Sequence, residues 1–223
     1  MKIRTSRVLF YLLGMSVLAL GLTLSTKANL GVAPVIAVSF GVSRLTGYNF
    51  GDTTLVLYTL FMLVEMALHL LPGRGAPANR RRTALLDLLQ LPLSIAFTRL
   101  VNLFAAQLPS PQSMPLRVLM LLVSIALVGS GAAITLNMRL IPVPVDGLTQ
   151  AISDKSGKEL GLVKNIMDIS CVAVTCAFTL LIAHRLEGVG VGTVLAMFGT
   201  GRVIAVFNRF FGARLRRAAG TSA

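Results

Sequence analysis

Five ionisable residues stand inside stretches that are otherwise apolar: Glu65, Asp87, Arg99, Asp168 and Arg202. A charge at the centre of a membrane helix costs about 2.5 kcal/mol or more, so each such group asks for a use. Arginine presents a planar fork of donors suited to carboxylate, sulfonate or phosphate. A buried carboxylate can carry a coupling proton or meet the amine of a solute. With a helical rise of roughly 1.5 Å per residue, Asp168 and Arg202 both fall about 10–14 Å from the same membrane surface. That shared layer makes an ion pair between them feasible.

The elements that must hold these groups follow from composition. The chain has 223 residues, of which 55% are hydrophobic and 13% charged. A soluble domain carries about 25% charged residues, so the expected class is an all-α polytopic membrane protein. Six apolar runs are long enough to cross a membrane, at 8–26, 52–71, 84–106, 116–138, 161–183 and 189–211. Each is close to the roughly 20 residues that a spanning helix needs. The first follows Lys2, Arg4 and Arg7 as a signal peptide would. Its length and the equivalent run at 116–138 argue that it is retained.

Basic residues set the orientation. With the amino terminus inside, fifteen Lys and Arg fall on the cytoplasmic side. Only Lys27, Arg44, Arg117 and Arg185 fall on the other. Both termini are therefore expected in the cytoplasm. The net charge of +13 is the product of this pattern. Without interleaved aromatic residues it does not describe a nucleic-acid surface.

One passage is written twice. NLGVAPVIAVSFGVSRLTGYNFG (29–51) and RLIPVPVDGLTQAISDKSGKELG (139–161) align with an offset of 110. They share Leu30/Leu140, Pro34/Pro144, Val35/Val145, Ser43/Ser153, Gly47/Gly157 and Gly51/Gly161. In the third spans, FTRLVNLF (97–104) matches TGRVIAVF (200–207) at an offset of 103. Three spans precede the second copy, so the halves 1–110 and 111–223 are expected to form an inverted repeat in one membrane domain. The repeated passage is too apolar for a loop and too broken by Gly and Pro for a span. A short helix is expected in each copy, beginning near Pro34 and near Asp146 or Gly147. It either dips into the membrane or lies flat in the interface.

This passage, with the third-span ending GVGVGTVLAMFGTGRVIAVF, resembles the YczE/YyaS/YitT group of bacterial integral membrane proteins. The resemblance covers nearly the whole chain, and IPVPVDGLTQAISDKSG is its most specific piece. It implies a fold and a multi-pass location in the bacterial cytoplasmic (inner) membrane, and it brings no catalytic residues with it.

The repeat extends the chemistry. Arg202 corresponds to Arg99, and Asp168 to Tyr58, so each half offers one arginine and one polar partner. The alternative use of each arginine is a structural lock between helices. Asp146 follows PVPV and either caps the second short helix or accepts a solute amine, capping being the commoner role. Glu65, at the depth of Gln90 and one turn before His69, is a candidate proton carrier beside Asp168, or simply reaches the interface. Asp87 is expected to be solvated. Gly188, Gly192, Ala196 and Thr200 form a small-residue stripe for close helix packing. Pro92 is expected to kink span three. Cys171 and Cys176 lie too far apart on a helix for a bridge. No Cys/His spacing suggests a metal, and no catalytic constellation or cofactor motif is present. The expected substrate-binding set is Arg99, Arg202, Asp168, Tyr58 and Asp146. The expected function is a permease for a small anionic or zwitterionic solute, with membrane lipid as surroundings and room for a homodimer. An accessory subunit without transport activity is the alternative, and an enzyme is not expected.

Overall fold

The computed structural model describes residues 5–220, so Lys2 and Arg4 of the charge pattern lie outside the described residues. Among the described residues the chain is helical throughout, with no strand. Six helical stretches are long and apolar enough to cross a membrane, each overlapping one expected run. They are α1 (Thr5–Ala28), α3 (Phe50–Leu70), α4 with α5 (Arg80–Asp87, Gln90–Gln107), α6 (Met114–Met138), α8 (Leu160–Ala183) and α9 with its extension (Val191–Phe207). Beyond α9 the chain widens into a π-helical turn at Asn208–Gly212 and ends in α10 (Ala213–Ala219).

Between the spans lie two short helices of 13 residues, α2 (Pro34–Thr46) and α7 (Pro144–Ser156). Their bounds differ by the offset of the sequence repeat, and so do those of α1 with α6 and α3 with α8 at the breaks. Proline opens both, because its fixed φ suits the first helical position and it lacks the N–H that would go unpaired there. The second short helix therefore starts at Pro144 and not at Asp146 or Gly147. Glycine closes both: Gly47 (φ 76°) and Gly157 (φ 68°) adopt the left-handed conformation and donate N–H to the carbonyls of Ser43 (2.9 Å) and Ser153 (2.8 Å). The serine hydroxyls reach onward to the carbonyls of Tyr48 (2.6 Å) and Lys158 (2.7 Å). Identical local chemistry has produced the same cap twice.

The centre of the bundle is α1 against α6, with α5 beside α1 and α9 beside α6. A Cβ at Gly131 would stand 2.6 Å from the Leu18 nitrogen, which shows how closely these two backbones approach. The short helices cross over: α2 packs on α8, and α7 packs on α3. Tyr11, Met15, Leu18, Leu22, Ile36, Phe40, Tyr58 and Phe97 fill the core between them. Numerous leucines, valines and phenylalanines cover the outside, as lipid contact requires. Span three bends where expected. The turn at Leu88 and Leu89 falls just before Pro92, whose ring clashes with the carbonyl four residues earlier.

The left-handed cap gives a clean test, because a Cβ at Gly47 would meet nothing within 4 Å. Gly47→Ala is expected to lose about 1–2 kcal/mol through backbone strain alone, read by reversible unfolding in mixed detergent micelles. No loss would mean that the cap is not formed.

Candidate functional site

Each break between a span and its short helix leaves backbone groups without helical partners. In the second copy, Arg7 on α1 supplies two of them, donating from Nε to the Met138 carbonyl and from Nη2 to that of Arg139, both at 2.6 Å. The Tyr11 hydroxyl donates to the Ile141 carbonyl at 2.8 Å. These bonds fix the entry of α7 against α1, α3 and α5. At that junction lies a cavity of about 20 Å³, lined by Tyr11, Tyr58, Gln90, Ser94, Phe97 and Pro142–Pro144 among others. It has room for one or two waters. Tyr58 is buried and stacks on Phe97, with ring centroids 6.1 Å apart.

Tyr58 also faces Asp146, in the first turn of α7. Asp146 is half-buried and does not cap the helix. The N-cap position is Val143, with no side-chain bond, and Asp146 sits three residues inside. On this short, non-spanning helix, burial pushes the Asp146 carboxyl up from its ordinary range, and the Lys164 ammonium opposes that shift. Asp168 is buried on α8 within electrostatic reach of Lys164 and Asp146. Three of the expected site residues, Tyr58, Asp146 and Asp168, are thus brought together. Lys164 joins them. Its position one turn before Asp168 on the same helix face was the sequence signal for it, hidden because it also counted as an orientation charge.

The arginines go elsewhere. Arg202 is exposed and makes no ion pair with Asp168. The small-residue stripe is the reason. Gly192 packs on the Leu30 and Gly31 carbonyls, and Gly129 of α6 abuts the Thr200 carbonyl and Val203. At 3.6 residues per turn, Arg202 stands about 160° round the helix from Thr200, on the outward face. Arg99 is likewise exposed, flanked by buried Phe97 and Val101, and its Nη1 donates to Asp52 Oδ1 at 2.9 Å. It is paired at the end of α3 and not with Tyr58. The two-fork anion site expected from sequence is not assembled.

Glu65 lies in a second polar cluster on the other side of α7. Gln90 donates from Nε2 to Glu65 Oε2 at 2.9 Å, and His69 Nδ1 lies 2.7 Å from Asp87 Oδ2. Glu65, Asp87 and Gln90 are all buried, so Asp87 is not the solvated group expected. α4 packs beside α3 and brings Asp87 to His69. Donor atoms of Glu65, His69 and Asp87 lie within 4.8 Å of one another. This is the feature that sequence spacing missed, since its members come from two helices.

Gly147 joins the clusters: a Cβ there would collide with the Glu65 carboxylate. Gly147→Ala is expected to destabilise the protein by about 1–3 kcal/mol through overpacking, read as a lowered unfolding temperature in detergent. An unchanged temperature would place α7 farther from Glu65.

Comparison with known proteins agrees with the resemblance noted in the sequence. The chain is 28% identical over 197 residues to an uncharacterized protein of Haemophilus influenzae, covering 88% of this chain and 80% of that one. It is 23% identical over 202 residues to the uncharacterized protein YyaS of Bacillus subtilis, covering 90% and 92%. No solved structure matches. The profile of the family of unknown function DUF6198 matches residues 5–209. A multi-pass helical chain with bacterial relatives of the YczE/YyaS type, it belongs to the DUF6198 family.

Proposed function

We propose that the chain is a small secondary transporter of the bacterial cytoplasmic membrane. In this reading the halves 1–110 and 111–223 are inserted in opposite directions, with both termini cytoplasmic. The observation that carries it is the exchange of short helices, α2 onto α8 and α7 onto α3. Two halves that trade elements about a pseudo-twofold axis can rock around a common centre, the plan of many carriers. The orientation rests on the asymmetry of basic residues. It is supported by the bond from Ser6 Oγ to the Ala218 carbonyl (3.1 Å), which joins the two ends of the described chain at one face.

Arg99 and Arg202 point outward, which removes the support for an anionic solute. Asp146, Asp168, Tyr58 and exposed Lys164 offer both signs of charge, and that favours a zwitterion carrying an amine and an acidic group. Asp168, buried between Lys164 and Asp146 in charge reach, is the group suited to a coupling proton. A cavity of about 20 Å³ is too small for such a solute. Transport then requires α7 and its neighbours to part, with this conformation as the closed member of the cycle. The small cavity also supports a second reading, an accessory subunit that moves nothing.

Proteoliposomes tested with a panel of labelled amino acids and other zwitterions decide between them. Uptake of at least one solute is expected. Asp168→Asn should lower it about tenfold or more, the loss of one charge-assisted contact, while Arg202→Ala stays near the unaltered rate. If Arg202→Ala abolishes uptake and Asp168→Asn does not, the site is wrong. No uptake across the panel, with one partner protein co-purifying, supports the accessory subunit.

A further inference from the structure

The cluster at the base of α7 is unusual for an apolar setting. Glu65 is 3% exposed and Asp87 7%, so two carboxyl groups are sheltered from water side by side. The charged neighbours that act on Glu65 are Asp87 and His69. A buried carboxylate avoids an uncompensated charge by taking up a proton or by binding a cation, and donor atoms of Glu65, His69 and Asp87 within 4.8 Å of one another are close enough to share one cation.

A second observation points the same way. Gln90 is 1% exposed, and its Oε1 has no hydrogen-bond partner among the described residues. Its Nε2 stands 2.9 Å from Glu65 Oε2. Turning the amide over exchanges the two atoms, which are alike in shape. After the exchange the amide oxygen stands beside the Glu65 carboxylate, where a cation held by both would give it a partner.

We propose that Glu65, His69, Asp87 and the Gln90 carbonyl bind one divalent transition-metal cation. One imidazole and three oxygen donors suit Zn²⁺, Mn²⁺, Fe²⁺ or Co²⁺. The set lacks the thiolates that select Cu(I), and its imidazole does not suit Ca²⁺ or Mg²⁺. The ion would tie α3 to α4 and α5. Through the Gly147 contact with Glu65, it would also support the start of α7. This site stands apart from the carrier reading, because it needs no solute and no movement of the halves.

Tag-free protein, purified in detergent and stripped with a chelator, is titrated with Zn²⁺ in a calorimeter and unfolded thermally with and without the metal. One equivalent should bind and raise the unfolding temperature. His69→Gln and Asp87→Asn should each weaken binding by about tenfold or more, whereas His184→Gln should leave it unchanged. X-ray absorption of the Zn²⁺-loaded unaltered chain keeps the test independent of variant folding, with one imidazole and otherwise oxygen neighbours expected. Absence of stoichiometric binding, binding indifferent to His69→Gln and Asp87→Asn, or a zinc shell with sulfur or without imidazole would overturn the site.

Discussion

Backbone that leaves a helix loses its regular hydrogen-bond partners and must find others when buried, and this constraint organises the molecule. The chain breaks twice in equivalent places, at 29–33 and 139–143. Each break finds partners in the other half of the sequence. Val32 donates its N–H to the Gly188 carbonyl (3.0 Å), and Gly192 donates to that of Leu30 (2.7 Å). Across the molecule, Arg7 and Tyr11 serve the carbonyls of Met138, Arg139 and Ile141. The far ends of the short helices are held in the same reciprocal way. Lys155 Nζ donates to the Leu71 carbonyl at 2.6 Å, and Arg44 pairs with Glu187 at 3.5 Å. Each half thus draws on the other at its break. Separating them would strip hydrogen bonds from both, which is why the fold is one unit.

The two copies have kept this mechanical role and diverged in chemistry. Along α2 the residues are PVIAVSFGVSRLT, and Val35, Ile36, Ala37 and Phe40 are spent on the core. Along α7 they are PVDGLTQAISDKS, and the third and fourth positions, Asp146 and Gly147, place a carboxylate and a gap where α2 has Ile36 and Ala37. The gap admits the Glu65 carboxylate. Thr175 takes the corresponding place on α8 and bonds only within its own helix, to the Cys171 carbonyl at 2.7 Å. Polarity therefore gathers around one short helix, while the other serves as a packed counterpart.

Much of this was legible in the residues. Hydropathy marked six spans, because lipid leaves only helices as an option. The double passage marked both short helices, because proline and glycine act through local backbone geometry. What failed was rotation. Depth along a helix follows from counting, but rotation about its axis does not. Which way each side chain points depends on the face that packs, and the stripe Gly192, Ala196, Thr200 decided that against Arg202. The Glu65–His69–Asp87 cluster was out of reach for a related reason. Two of its members are one turn apart on α3, but the third comes from α4, on the next span, and only packing brings it near.

In the proposed transporter, two halves enter the membrane in opposite senses so that each can complete the other. Thr46 and Ser156 end the two short helices and are both exposed, which makes them reporters of sidedness. Single Thr46→Cys and Ser156→Cys variants, with Cys171 and Cys176 replaced by serine, can be challenged in intact cells and in inverted vesicles with a membrane-impermeant maleimide. Opposite insertion has Thr46→Cys labelled from outside the cell and Ser156→Cys only from the cytoplasmic face. Labelling of both from the same face would contradict it.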